Sequence, residues 1–106
     1  MPFTGHENHT ITFEEGSDLT KNYRNQMETG DRKGGYFSMD AIQTLLDQDA
    51  CVGIRYYYGL NEVDKQVLVV VGVDADENDL IGLRNICIEA SVPCPSQCGE
   101  DNILNS

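Results

Sequence analysis

Three features of the sequence predict a small α+β domain: two N-terminal helices, a three-stranded antiparallel β-meander, and an irregular C-terminal tail. The first is a pair of helix-start signals in the N-terminal half, at Thr12 and Ser38. The second is a β-branched, apolar block from Cys51 to Val73, interrupted once by a turn-forming stretch. The third is an alternating segment from Asn85 to Val92 that supplies a further strand. At 106 residues the chain has the size of one domain, 1–106, which can bury one modest core without metal or disulfide staples.

Residues 1–10 are polar, carry His6 and His9 and show no periodicity, so they read as a flexible or lightly docked arm. Thr12-Phe-Glu-Glu15 fits a capping box, in which Thr12 accepts from the amide three residues on and Glu15 reaches back to the Thr12 amide. The helix it starts is predicted to run from Phe13 to about Met27, with Leu19, Tyr23 and Met27 along one side. Thr29 to Gly35 reads as a loop, and Tyr36 and Phe37 as anchors where the chain returns to the core. Ser38 is the N-cap of a second helix, with Asp40 in its first turn where the helix dipole favours an acid. Met39, Ile42, Leu45 and Leu46 form its apolar stripe, and it should stop near Asp47 to Asp49.

The hairpin follows. If the stretch from Gly59 to Lys65 closes it symmetrically, Tyr58 opposes Gln66 and Ile54 opposes Val70. Period-2 geometry then puts Tyr58, Tyr56, Ile54 and Val52 with Leu68 and Val70 on one face. The other face carries Tyr57, Arg55 and Cys51 with Val67, Val69, Val71 and Val73. A second strand apolar on both faces belongs in the middle of a sheet, so it needs a neighbour, and the stretch from Asn85 to Val92 can supply it. Pro93 should end that last strand, since it has no amide for the ladder and restricts the residue before it. Residues 94–106 are a turn-rich, irregular tail. At least one helix is expected on the Tyr56/Ile54/Leu68 face; the valine face has no obvious cover, with the second helix or the tail as the candidates.

Eighteen acidic residues against seven basic ones give a net charge of -11. That charge repels phosphate backbones and anionic lipid, so neither nucleic acid nor a membrane surface is an expected partner. No apolar run approaches the roughly 20 residues of a bilayer span. The N-terminus has neither the basic nor the apolar region of a signal peptide, so a cytoplasmic location is expected, with leaderless export as the alternative.

Two clusters resemble metal ligands. Asp74, Asp76 and Asn78 match the first positions of a calcium loop, but position six is Asp79 instead of Gly and position twelve is Asn85 instead of Glu, so a solvated acidic turn is the better reading. Cys51, Cys87, Cys94 and Cys98 provide four soft ligands, although the three-residue gap between Cys94 and Cys98 fits no common zinc motif. The alternative is that Cys51 and Cys87 are small buried apolar groups, with the tail pair free or oxidised. Arg55 is the only charge within the hairpin strands. Either its stem lies on the sheet while its head reaches water or pairs with an acid, or Arg55 and Tyr57 anchor a binding surface formed with Val67, Val69 and Val71.

No nucleophile elbow, phosphate-cradling glycine loop or zinc-protease motif occurs. The sequence therefore points first to a small acidic, non-catalytic interaction or accessory protein that binds a protein partner or forms a homo-oligomer. The alternative is a domain that binds zinc, or is stabilised by it, through the four cysteines. A small enzyme working through Arg55, a tyrosine and His9 ranks third.

Overall fold

In the computed structural model, which describes residues 2–89 and 92–106, two helices and five strands follow in a fixed order. They are α1 (Phe13–Arg24), β1 (Gly34–Tyr36), α2 (Met39–Leu46), β2 (Gly53–Leu60), β3 (Gln66–Val73), β4 (Cys87–Glu89) and β5 (Val92–Cys94). Strands β2, β3 and β4 form one antiparallel sheet in that order, while β1 and β5 pair separately, also antiparallel. The fold is mixed α+β, as the sequence predicts.

Both helix starts are built as their residues require. Thr12 Oγ1 accepts from the Glu15 amide at 3.0 Å and Glu15 Oε1 accepts from the Thr12 amide at 3.1 Å, so two otherwise unpaired donors are satisfied. Ser38 Oγ accepts from the Ala41 amide at 3.1 Å. α2 ends at Leu46, with Asp47 as its C-cap. α1 stops at Arg24, a turn short of the expected Met27, with Asn25 as its C-cap. Its last turn is turned to another use, since Arg24 Nη1 donates to the Leu104 carbonyl at 2.5 Å. Of the residues in α1, only Ser17 is buried, so this helix is held mainly by side-chain hydrogen bonds rather than by an apolar face.

The hairpin register differs from the symmetric expectation by two residues. Leu60 faces Gln66, Tyr58 faces Leu68 and Ile54 faces Gly72. The turn is tighter because Asn61 Oδ1 accepts from the amides of both Val63 and Lys65, each at 3.0 Å, while the Asn61 amide donates to the Lys65 carbonyl. Asp64 takes a positive φ of 60° to close it, which Asp tolerates better than most residues. A shift of two keeps the parity, so each side chain stays on its expected face.

The single strand expected from Asn85 to Val92 is instead two. β4 joins the sheet, with Ile88 opposite Val70. β5 leaves it to pair with β1, so Gly34, Gly35 and Tyr36, read as loop and anchor, form a strand. Pro93 lies inside β5 opposite Gly35, an arrangement open to proline because β5 is paired on one side only. Residues 90 and 91, which the expected strand also included, lie outside the described residues.

The faces of the sheet are covered in a different way from the expectation. On the face of Val70 and Gly72, α2 covers only the far end, where Leu45 is 0% exposed. Along the rest of that face Tyr56 and Tyr58 stay exposed, Tyr58 at 73%. On the valine face Val71 is 7% exposed and Val73 is buried, because the segment after β3 folds back over them. Among the described residues, Leu45, Val70, Val71 and Val73 make up the buried apolar core. The N-terminal arm is docked: the Phe3 amide donates to the Ala75 carbonyl at 3.0 Å. Gly5, at φ +84°, passes so close that a Cβ there would lie 2.9 Å from the Val52 carbonyl oxygen.

The junction of α2 with the sheet turns on Gln48. Its Nε2 donates to the Leu45 carbonyl, and its Oε1 accepts from the Ile86 amide at 2.8 Å and from Asn85 Nδ2. A Cβ at Gly72 would sit 2.8 Å from Gln48 Nε2 and 3.0 Å from Cys51 Sγ. The amide is a side-chain end, but three hydrogen bonds hold it, so it cannot give way without losing some of them. Gly72→Ala should therefore cost about 1–3 kcal/mol in urea denaturation. The cost should shrink in a Gln48→Ala background, and equal costs in both backgrounds would contradict this contact.

Candidate functional site

Arg55, Tyr57 and Asp79 form a connected polar group on the valine face. Asp79 reaches the valine face because it bridges Val73 across a short antiparallel contact, in step with the Leu80 amide donating to the Gly72 carbonyl at 2.8 Å. That contact follows a turn made by Asp74, whose Oδ1 accepts from the amides of Asp76 at 2.9 Å and Asn78 at 3.0 Å. The apparent calcium ligand is thus occupied as an Asx turn.

Arg55 Nη1 donates to Asp79 Oδ1 at 2.5 Å and Nη2 to the Glu77 carbonyl at 3.1 Å. The Tyr57 hydroxyl donates to the other oxygen, Asp79 Oδ2. The Phe3 ring lies 6.0 Å from the Arg55 guanidinium carbon, within the range of a cation–π contact. The hydrogen bond from Tyr57 holds the Asp79 carboxyl below its usual value; partial desolvation opposes this, and Arg55 adds to it. The same bond, with partial desolvation, raises Tyr57. Arg55 is raised, chiefly by its hydrogen bond to Asp79.

The structure therefore brings Arg55 and Tyr57 together but engages both internally, with the Arg55 head paired to an acid. Val71 beneath them is buried, and Val67 and Val69 are half-buried. The partner of this pair, Asp79, has no sequence signal beyond its place as a misfit in the calcium pattern.

The four cysteines are not brought together as a ligand set. Cys94 and Cys98 form a disulfide, Cys87 is exposed in β4, and Cys51 is half-buried with its thiol 3.1 Å from the Gly53 carbonyl. Among the described residues no group of three or more His, Cys, Asp or Glu side chains is placed to hold a metal ion.

Two grooves flank the exposed Tyr56/Tyr58 ridge, whose rings meet edge to face at 5.7 Å. One, of about 480 Å³, lies between the docked arm and β2 and holds Arg55 with His9 and Glu7. Glu7 is occupied there: its carboxylate accepts from the amides of Thr4 at 2.9 Å and Gly5 at 3.1 Å, and the bond from Thr4 is the main cause holding it below its usual value. The other groove, of about 350 Å³, lies between the sheet and the segment carrying α1 and β1. Tyr23 and Arg32, neither of them singled out by motif, stand on its far wall. Comparison with protein families, with curated proteins and with solved structures found no match for this chain.

Because its native value is depressed, ionised Asp79 contributes stability that is full above the usual carboxylate value of 3.8 and is lost as pH falls toward the native value. We expect Asp79→Asn to be less stable than wild type near neutral pH, and the gap in urea midpoint to close progressively as pH drops below about 4. A gap that stays constant with pH would show that the carboxylate charge is not what holds Arg55 and Tyr57.

Proposed function

We propose that this is a small acidic, non-catalytic interaction or accessory protein that works by binding a protein partner, a second copy included. The observation that carries the reading is surface. A folded monomer of 11.8 kDa presents about 5,900 Å² to solvent, whereas this chain presents 8122 Å². Its radius of gyration is 15.5 Å, against about 13 Å for a compact chain of this length. The difference in area, roughly 2,200 Å² on one chain, is more than the roughly 800 Å² that each partner of a standard-size complex buries.

Large apolar side chains lie on that surface: Tyr58, Leu60, Ile81 and Leu83 are all largely exposed. Tyr58 and Leu60 lie on the edge strand β2 beside Tyr56 and Tyr57, and tyrosine is enriched at contact surfaces. β2 is also a sheet edge of eight residues with no charge other than the paired Arg55, which leaves it without the charges and prolines that usually blunt such edges. Among the described residues, no helix is long and apolar enough to cross a membrane. A cytoplasmic setting, expected from the sequence, fits less well with the Cys94–Cys98 bond, since such bonds persist mainly in oxidising compartments.

A second reading, a small enzyme, is favoured by the groove that holds Arg55 with His9. It ranks lower because Arg55 is paired, Glu7 caps a turn, and His9 has no hydrogen-bond partner among the described residues to orient it as a base.

Light scattering of the purified chain, together with affinity capture from its native host using wild type and Leu60→Glu, tests the partner reading. We expect either a mass above that of one chain, or a partner captured by wild type and lost in the variant. A strictly monomeric protein that captures nothing the variant does not would contradict it. His9→Ala separates the two readings, since it should leave the partner bound.

A further inference from the structure

We propose that the groove between the sheet and the α1–β1 segment is a binding site for a small, flat, apolar anion of the aryl carboxylate or aryl sulfonate class. Its walls are aromatic and aliphatic: Tyr23 and Phe37 on one side, Tyr56, Tyr58 and Leu68 on the other. Its volume of about 350 Å³ is at the lower end of small-molecule sites.

The chain has eighteen acidic residues and seven basic ones, yet no Asp or Glu lines this groove, while Arg32 and Lys33 do. Acids are thus absent from a concavity where two cations gather against aromatic rings. That inverts the charge of the molecule locally and selects for an anion.

The two cations are not equivalent. Lys33 Nζ donates to the Asn105 carbonyl at 2.6 Å and so is engaged with the C-terminal tail. Arg32 is half-buried and donates through Nη1 to the Gln66 carbonyl at a longer 3.3 Å. Among the described residues no carboxylate lies within ion-pair distance of it. A guanidinium has five N–H donors, so most of its donor capacity is unused. A ligand's acid group on Arg32 would supply the counter-charge and use the free donors.

The wall around Arg32 is also positioned. The Tyr23 hydroxyl donates to the Arg32 carbonyl at 3.0 Å, and Lys65 Nζ donates to the Gly30 carbonyl at 3.0 Å, so the loop is fastened to α1 and to the hairpin end. The ligand's ring would lie against the tyrosines of β2, where aromatic contacts contribute most, with its acid group on Arg32. This site does not depend on the partner reading above, because it is tested on the isolated chain.

The test is fluorescence titration of the full chain with 1-anilinonaphthalene-8-sulfonate, compared with the neutral N-phenyl-1-naphthylamine, which keeps the aromatic body and lacks the sulfonate. We expect saturable binding of the anion at one site, and weaker binding of the neutral probe. Arg32→Gln should weaken the anion about tenfold, the size of a charge-assisted contact, and leave the neutral probe unchanged. Arg84→Gln, which removes the same charge from the loop after β3, should change neither. Arg32→Lys, which keeps the charge if the glutamine variant loosens the loop, should retain the larger part of the affinity. Equal weakening by the Arg32→Gln and Arg84→Gln changes, equal loss in both Arg32 variants, unsaturable binding, or a preference for the neutral probe would each overturn the proposal.

Discussion

A strand that is apolar on both faces has to be covered on both, and β3 is that strand. Among the described residues, Val70, Val71 and Val73 are three of the four buried apolar side chains, and the fourth, Leu45, sits in the helix lying against the sheet. Covering one face takes α2, with Gln48 fastening its end to the backbone at Ile86. Covering the other takes the segment after β3, with Asp79 drawing Arg55 and Tyr57 across the valines. The arm adds Phe3 over Arg55. In a chain of 106 residues these covers leave little for the outer half of β2.

The molecule is therefore uneven. The sheet, α2 and the arm share a small core, whereas α1, the β1–β5 pair and the tail hold together through directed polar contacts. Arg24 and Lys33 donate to the carbonyls of Leu104 and Asn105, the Cys94–Cys98 bond closes the tail, and Arg32 and Lys65 tie this part to the hairpin end. Such contacts fix geometry but bury little apolar area. The larger of the two consequences is the exposed surface that a partner can use. The other is the groove between the two parts, where aromatic rings face a guanidinium that has no carboxylate partner among the described residues.

The helix caps, the parity of the hairpin and the central place of β3 were legible because each rests on local chemistry or on a strict period. Thr12 with Glu15, and Ser38, specify their own hydrogen bonds, and alternation from Val67 to Val73 survives a two-residue shift in register. What was not legible depends on contacts distant in sequence. The Asn61 turn could have been read as an Asx turn, and that would have corrected the register. Nothing near Gly34 announces a pairing with Val92 to Cys94, and nothing near Asp79 announces Arg55, 24 residues earlier. The expectation of a helix on the tyrosine face holds only at the far end, where α2 lies; α1 leaves Phe13 and Leu19 exposed, because its ties are polar. Arg32 drew no attention because an arginine in a glycine-rich loop looks like any solvated cation until the aromatic wall opposite it is seen.

Native-state hydrogen exchange, resolved to single amides, tests most directly the claim that β3 and its two covers hold the fold. The account predicts that amides of β3 exchange slowest, at the free energy of global unfolding, and that those of α1 open at a clearly lower free energy without unfolding the sheet. Amides of α1 as slow as those of β3 would contradict it, because the helix would then belong to the same cooperative core.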